Sequence, residues 1–473
     1  MNIRIILLSV LVLLLACQGC GLAVRGTEKA LTGLVNSELF RQGRHGKLNE
    51  QEIEWAKTAW QYFVNNHHAD TGLTSGLEGS DVVSVWNIAD AIAAAVAAHH
   101  FGFIDEYEFD HRISPLLGFL NKMSLHKGKL PNLFYRADSG TMTDRNGEER
   151  SVGWSAVDIG RLLIWLQILR SRAPQYAEYI DKAVLRWEFC EVIDDCGGLH
   201  GMNRNSGTDP PSSFPKEPLG YQDYALMGYA SWGFPRPKPL TVKPPGVRIY
   251  NLELSQSKED SRTTGSSNPL VTMPYMLLGL EFNWDRIDDQ ASLDSFSSDA
   301  EAAEMARRIY AVQEQRYRLE RIFTARNERR QAEKPSILYD SIFADGYAWN
   351  TVTPEGETQP ETALVSTAAA FGMWALWKTS YTEGLMQLIS PLHDPERGWF
   401  EGRREKDGAH DRTLSSSTNA AVLEALLYKA EGKLYHATQP RSHADMMLED
   451  EFRRPACSPP ERQNCWKNNK EEK

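Results

Sequence analysis

Cysteine is scarce in this chain: six residues in 473. Cys190 and Cys196, and Cys457 and Cys465, lack the paired spacing of a zinc site and have no second ligand pair. An oxidising compartment would let each pair close a small loop, so they read as structural. Histidine is little help to a metal either. His67 and His68 are adjacent at a helix end, where neighbouring side chains point apart, and no carboxylate or third histidine is placed to join them. No metal and no cofactor is expected. Basic charge is also in deficit, with 52 Lys and Arg against 63 Asp and Glu and a net charge of −11. With no basic patch, nucleic acid is a poor candidate partner. Beyond the first residues no apolar run approaches the roughly eighteen needed to span a membrane.

Those first residues have the pattern of an export signal. Met1–Arg4 is a short positive segment, Ile5–Leu15 is apolar, and Leu14-Leu15-Ala16-Cys17 resembles a bacterial lipobox. The expectation is a leader over 1–17 with Cys17 as a lipidated first residue, a plain secretory leader being the alternative. Residues 18–47 then read as a tether or N-terminal helix, 48–436 as the main domain, and 437–473 as a polar tail. The chain is expected in the periplasm, anchored by lipid to the outer membrane.

The main domain is organised around Val152–Leu169, VGWSAVDIGRLLIWLQIL. At helical spacing Ala156, Ile159, Leu162, Leu163, Leu166 and Leu169 form one stripe, and Val157, Ile164, Trp165 and Ile168 fill the opposite face. A helix apolar nearly all round must be covered by protein on every side. The following segment, Gln175–Val192, confines its apolar residues to one stripe and so reads as an outer helix. This pairing recurs. Ile88–Ala98 and Ala363–Trp377 are apolar all round, and each is followed by an amphipathic partner, Tyr107–Met123 and Tyr381–Leu392. Tyr224–Trp232, Tyr275–Phe282 and Asn419–Tyr428 are further buried helices. The expected fold is all-α, an (α/α)6 toroid with long loops at one mouth, rather than a two-domain helical solenoid. Ser298 and Glu301 read as a capping box for a long charged helix reaching about Asn327, with a solvated outer face. Gly246–Leu254 reads as a strand in a Pro- and Ser-rich excursion.

In such a ring, the loops feeding the inner helices line one mouth, and the candidate residues follow from that. Asp81, Trp86 and Asn87 precede or open the second helix, Asn132 and Tyr135 lie in LPNLFYR, and Trp154 and Asp158 open the organising helix. Asp158 has a plainer use, since a carboxylate in the first turn is stabilised by the helix dipole. Tyr221 and Asp223 head the next inner helix behind a Pro/Ser loop, with Tyr275 beyond them. The polar loop Tyr339–Glu361 carries Asp345, Trp349, Asn350 and Glu361, and Asn419 heads the last inner helix. Aromatic rings beside carboxylates suit a sugar site, because pyranose faces stack on the rings while acids serve the glycosidic oxygen.

The segments VGWSAVDIGRLL, LRWEFCEVI, GYQDYALMGYASWGF, MPYMLLGLEFNWD, ADGYAWNTVT, DPERGWFEG and STNAAVLEALLYKAEG together resemble the bacterial family of domain of unknown function 3131. That family is similar to glucoamylase-like α/α-toroid proteins, including endo-β-1,2-glucanases and the related domain of cyclic β-1,2-glucan synthases. The resemblance implies a polysaccharide or oligosaccharide substrate and a periplasmic setting, and it supplies no catalytic acid residue by residue. Gln222 and Met273 stand where a carboxylate beside the motif aromatics would have been convenient.

The expected function is an exported glycoside hydrolase or transglycosylase acting on a glucan or exopolysaccharide. Its acid and base are expected among Asp223, Asp345, Glu361, Asp158 and Asp81, and its sugar contacts among Trp86, Asn87, Asn132, Tyr135, Trp154, Tyr221, Tyr275, Trp349, Asn350 and Asn419. A toroid lyase is a subordinate enzyme option. The alternative is a non-catalytic lipoprotein that binds or guides a polysaccharide during export or assembly. A scaffold without a glycan site is third.

Overall fold

The computed structural model describes residues 43–193, 199, 201–203, 212–214, 220–234, 246–255, 268–287, 289, 297–331 and 334–436. The leader, Cys17, most of the tether, most of the Pro/Ser loop, Cys196 and the tail with its two cysteines lie outside the described residues. From Arg44 onward the chain belongs to one compact unit.

Among the described residues eleven helices divide between outer and inner positions. Outer α1 (Glu50–Asn65) leads to inner α2 (Val85–His100), outer α3 (Glu106–Lys122) to inner α4 (Ala156–Arg172), and outer α5 (Ala177–Val184) to inner α6 (Tyr221–Ser231). Inner α7 (Met273–Phe282) is preceded by a β-hairpin, Gly246–Ile249 with Leu252–Ser255, whose second strand packs on outer α8 (Ala300–Glu320). Inner α9 (Thr367–Leu376), outer α10 (Ser380–Ile389) and inner α11 (Ser416–Glu431) complete the series. The six inner helices pack in chain order, and α11 packs against α2, which closes the ring. That closure excludes the solenoid.

Burial follows the apolar pattern. Every residue of α4 from Ala156 to Leu169 is buried, as is all of α7 and all of α9. Close approach is built in: a Cβ on Gly228 of α6 would stand 2.0 Å from the Gly160 carbonyl oxygen of α4, so glycine is required there for the two helices to touch.

The N-termini of the inner helices share one mouth. Ser84, Ser155, Ser366 and Ser415 cap α2, α4, α9 and α11, each hydroxyl accepting from the amide three residues on. Short antiparallel sheets feed these caps. Val82–Ser84 pairs with Phe134–Arg136, Gly153–Trp154 with Gly201–Asn203, Glu328–Arg330 with Ile337–Asp340, and Leu364–Ser366 with Gly398–Arg404.

Several sequence expectations need correction. The domain is not all-α, because small sheets rim the toroid; their strands run mostly two to four residues, too short for alternation to reveal them. Leu364–Ser366 is a strand leading into α9, although its apolar character continues that of the helix. The outer segment after α4 is a 3-10 turn, the eight-residue α5 and a second 3-10 turn. Helix α8 is capped by Asp299, not Ser298, and stops at Glu320 because Arg321 takes a left-handed conformation with φ 60°. Residues to Asn327 and beyond therefore leave the outer surface and run to the mouth.

Candidate functional site

Inside the ring, four inner helices each contribute one charge to a single cluster. Arg161 of α4 is 2% exposed, and Asp90 of α2, Glu281 of α7 and Glu424 of α11 are fully buried. The guanidinium donates to Asp90 Oδ1 at 2.9 Å, Glu281 Oε1 at 3.1 Å and Glu424 Oε1 at 2.5 Å. Tyr224 and Trp165 also donate to Glu281 Oε1, at 3.0 and 2.9 Å. Asp90 Oδ2 accepts from Asn87, Ser416 and Ser417. Three carboxylates against one guanidinium leave an excess of negative charge. Burial pushes Glu281 up to about 8 and Glu424 up to about 7, and repulsion within the cluster adds to the effect. A carboxyl proton is retained in the cluster near neutral pH, which limits the charge that must be buried.

The Trp86 indole covers this hub, 4.6 Å from the Arg161 guanidinium carbon, and also meets the Tyr221 ring edge-on at 5.8 Å. Beyond Tyr221 lies a second acidic group. The Tyr221 hydroxyl favours the charged form of the Glu328 carboxyl, carried on the first residue of the strand Glu328–Arg330. Asp158 is within electrostatic reach of Glu328. It sits in the first turn of α4, where Oδ1 accepts from the Ser155 hydroxyl at 2.8 Å and Oδ2 from the Trp86 amide at 3.3 Å.

Burial raises both carboxyls above the ordinary carboxylate range. For Glu328 the charge of Asp158 adds to the rise, while Arg330 and Tyr221 oppose it. For Asp158 the opposition comes from Arg330, Ser155 and the Trp86 amide. Glu328 keeps part of its surface exposed although protein surrounds it, as expected of a group within a cleft. A raised, partly accessible carboxyl beside a second carboxylate is the arrangement general acid–base chemistry needs. Arg145 closes one side: its guanidinium donates to Ser336 at 2.5 Å and lies 5.7 Å from the Phe134 ring centre.

The sequence candidates divide accordingly. Asp158, Trp86 and Tyr221 belong to the cleft, and Asn87 lies beneath it, braced against Asp90 and Ser416. Tyr275 is buried against Gly220, at the head of α6, and Asp223 is exposed in the first turn of that helix, where its charge helps raise the Tyr275 hydroxyl after burial. Trp154 is buried with His126 beside its ring.

Other candidates do structural work. Asn132 is fully buried, its amide bonded to the Phe134 and Thr143 carbonyls and its oxygen to the Val152 amide. The buried Tyr135 hydroxyl accepts from the Asn132 amide and donates to the Ser124 carbonyl. Asn419 holds both backbone groups of Trp399. Asn350 donates to the Ala344 carbonyl at 3.4 Å, and the Trp349 ring stacks with Arg316.

Three of the expected acids stand apart from the Asp158–Glu328 pair. Asp345, with φ 51°, and Gly346, with φ 86°, form the turn of the Phe343–Ala344/Tyr347–Ala348 hairpin, a role that suits Asp-Gly. Asp81 is exposed and bridged to Arg136 at 3.2 Å. Glu361 is exposed on a 3-10 turn, because the strand Leu364–Ser366 separates it from α9.

A cavity of about 510 Å³ opens elsewhere on the rim, lined by Phe119, Lys122, Met123 and Arg150 among others, and contains neither carboxyl of the pair.

Sequence reasoning missed Glu328 and the whole hub. The hub did leave a signal. Asp90 and Glu281 are the lone Asp, Glu, Lys or Arg of their helices, Arg161 and Glu424 stand among apolar neighbours in mid-helix, and such charges are almost never fully buried unless paired. Glu328 left none, since it stands in the polar run NERRQAEK.

The fold is an α/α toroid whose mouth holds raised carboxyls beside the buried rings of Trp86 and Tyr221. The chain belongs to the family described as proteins of unknown function, DUF3131, which matches residues 54–432. Its structure is similar to a glucoamylase-like protein from Bacteroides caccae, with 12% identity, TM-score 0.58, and coverage of 84% of this chain and 97% of that one. The endo-β-1,2-glucanase of Chitinophaga pinensis, solved with sophorotriose and glucose, gives 12% identity and TM-score 0.58 over 85% of this chain and 98% of the other. A β-1,2-glucanase from Parabacteroides distasonis gives 13% and 0.53, over 85% of this chain and 60% of that one. No curated protein matches the chain. At these identities the likeness establishes the toroid fold.

Proposed function

We propose that this protein is a glycoside hydrolase-like enzyme that cleaves or transfers a glucan or exopolysaccharide at the mouth of the toroid. The observation that carries the reading is the pairing of Glu328 with Asp158 beside Tyr221 and Trp86. Glu328, partly accessible and raised, serves as the acid that protonates the leaving oxygen. Asp158, oriented by Ser155 and the Trp86 amide, serves as the base toward water or an acceptor hydroxyl. The sugar complex of the Chitinophaga enzyme, a protein of the same fold, supports a β-linked glucan as the first substrate to try. Export through the N-terminal signal, with a lipid on Cys17 and a site in the periplasm at the outer membrane, completes the reading and rests on the sequence pattern alone.

Leaderless protein incubated with linear and cyclic β-1,2-glucan and a panel of other glucans tests it, with released reducing ends and product size as readouts. New ends that disappear in Glu328→Gln support hydrolysis, and chain-length redistribution without new ends supports transfer. The non-catalytic, glycan-guiding reading draws on one observation: both Asp158 oxygens already brace the start of α4 and the Trp86 amide. Retained glycan binding with no product on any polymer would favour it.

A further inference from the structure

We propose that the glycan entering this cleft carries an acidic substituent, a carboxylate or a comparably placed anion, which Arg145 and Arg330 receive together. The inference rests on the glycan reading above and narrows its substrate.

The two guanidiniums are brought together by local geometry. Arg330 ends the strand Glu328–Arg330 and pairs with Ile337 across the hairpin. The turn of that hairpin is closed by the Gln331 amide donating to the Ser336 carbonyl at 3.1 Å. Arg145 reaches the same turn from the loop between α3 and α4, through its 2.5 Å bond to the Ser336 hydroxyl. Two like charges thus lie near one another at the mouth, Arg145 exposed and Arg330 half-buried, and each lies within electrostatic reach of Asp158.

Their role as mere counter-charges to the acids is the obvious alternative, and the bonding argues against it. Neither arginine forms an ion pair with a carboxylate among the described residues, although Asp158 and Glu328 are nearby. Arg145 makes its one hydrogen bond to a neutral hydroxyl and rests on Phe134. Elsewhere in the chain an arginine packed near acids closes on them: Arg326 meets Glu405 at 2.7 Å and Arg329 meets Asp340 at 3.2 Å. A guanidinium fork with donors to spare is suited to binding a planar carboxylate or a phosphate in two places. Two such forks on one wall, beside an acid pair and aromatic rings, form a receptor for a sugar ring with an anion attached. A neutral glucan would leave both forks without a charged partner.

The test uses β-1,2-, β-1,3- and β-1,4-linked glucooligosaccharides, each in neutral form and oxidised at C6 to the uronate, so that members of a pair differ only in charge. Affinity for the leaderless protein is measured by calorimetry at low and moderate salt. The expected result is binding of at least one oxidised oligosaccharide about tenfold or more tighter than its neutral twin, weakening with salt. Arg330→Gln and Arg145→Gln should each bring the ratio of the two affinities close to one, whatever either does to binding of the neutral twin. Unchanged melting temperatures confirm that the variants are folded. Equal or tighter binding of the neutral form, unaffected by either variant, overturns the proposal and leaves the glycan reading standing. Binding of neither form of any oligosaccharide counts against both.

Discussion

Arg161 meets three carboxylates within 3.1 Å, whereas Arg330, at the mouth, has no ion-pair partner among the described residues. Both are arginines near several acids, so composition does not distinguish them. Saturation does. The hub spends every guanidinium edge on fixed partners from facing helices, which orients those helices about one point and leaves no Arg161 donor for a ligand. The cleft holds its acids with hydroxyls and an amide, and keeps its cations unspent. A saturated charged cluster is a structural joint, and an unsaturated one in a cleft is a site awaiting a partner.

The largest effect should come from breaking the joint. Arg161→Met strands an acidic cluster inside the ring, and removing one partner of a buried charge group costs about 3–5 kcal/mol. Denaturant unfolding should show that loss, or the protein should fail to accumulate in soluble form. Glu328→Gln should do the opposite: activity falls about 10²–10⁴-fold, the usual contribution of a general acid, with the melting temperature unchanged or raised.

The pH dependence of stability separates the two clusters next. Glu281 and Glu424 have folded values of about 8 and about 7 against an ordinary 4.5, and Glu401, held by Ser415 and Thr418, is also raised to about 7 by burial. Between those limits the folded protein binds more protons than the unfolded one. The stability these groups contribute is therefore complete below about 4.5 and falls as pH rises through 7 and 8. Melting temperature should fall from about pH 4.5 to about 8, most clearly above about 6.5, where His67, lowered to about 4 by burial, no longer exerts the opposite trend. Glu424→Gln should flatten the drop. The smallest effect is expected from Glu361→Gln, exposed on its 3-10 turn, which should change reducing-end release less than about twofold.

The ring was legible because its inner helices are apolar on all faces, and nothing but burial among other helices accommodates such a segment. The mouth was legible as the set of helix N-termini, where Trp86, Asp158 and Tyr221 stand. What failed was the use of polarity alone to find acids. Asp345 and Glu361 lie in a polar stretch, yet one makes a hairpin turn and the other faces solvent, since polar residues in loops are mostly there to be solvated. Asn132, Tyr135 and Asn419 looked like sugar contacts, but each is occupied with backbone groups whose burial demands partners. Glu328 was hidden by a misplaced helix end: one left-handed residue, Arg321, redirects the chain from the outer surface to the mouth. The charges of the hub stand in the sequence among the apolar residues of four inner helices, and buried pairing is the reading those positions required.

The measurement that bears most directly on this account is reducing-end release by the leaderless protein and by Glu328→Gln, across the neutral and C6-oxidised glucan panel, with both proteins melting normally. The account predicts release by the wild type on at least one acidic member and its loss in the variant. Full activity in Glu328→Gln would contradict it.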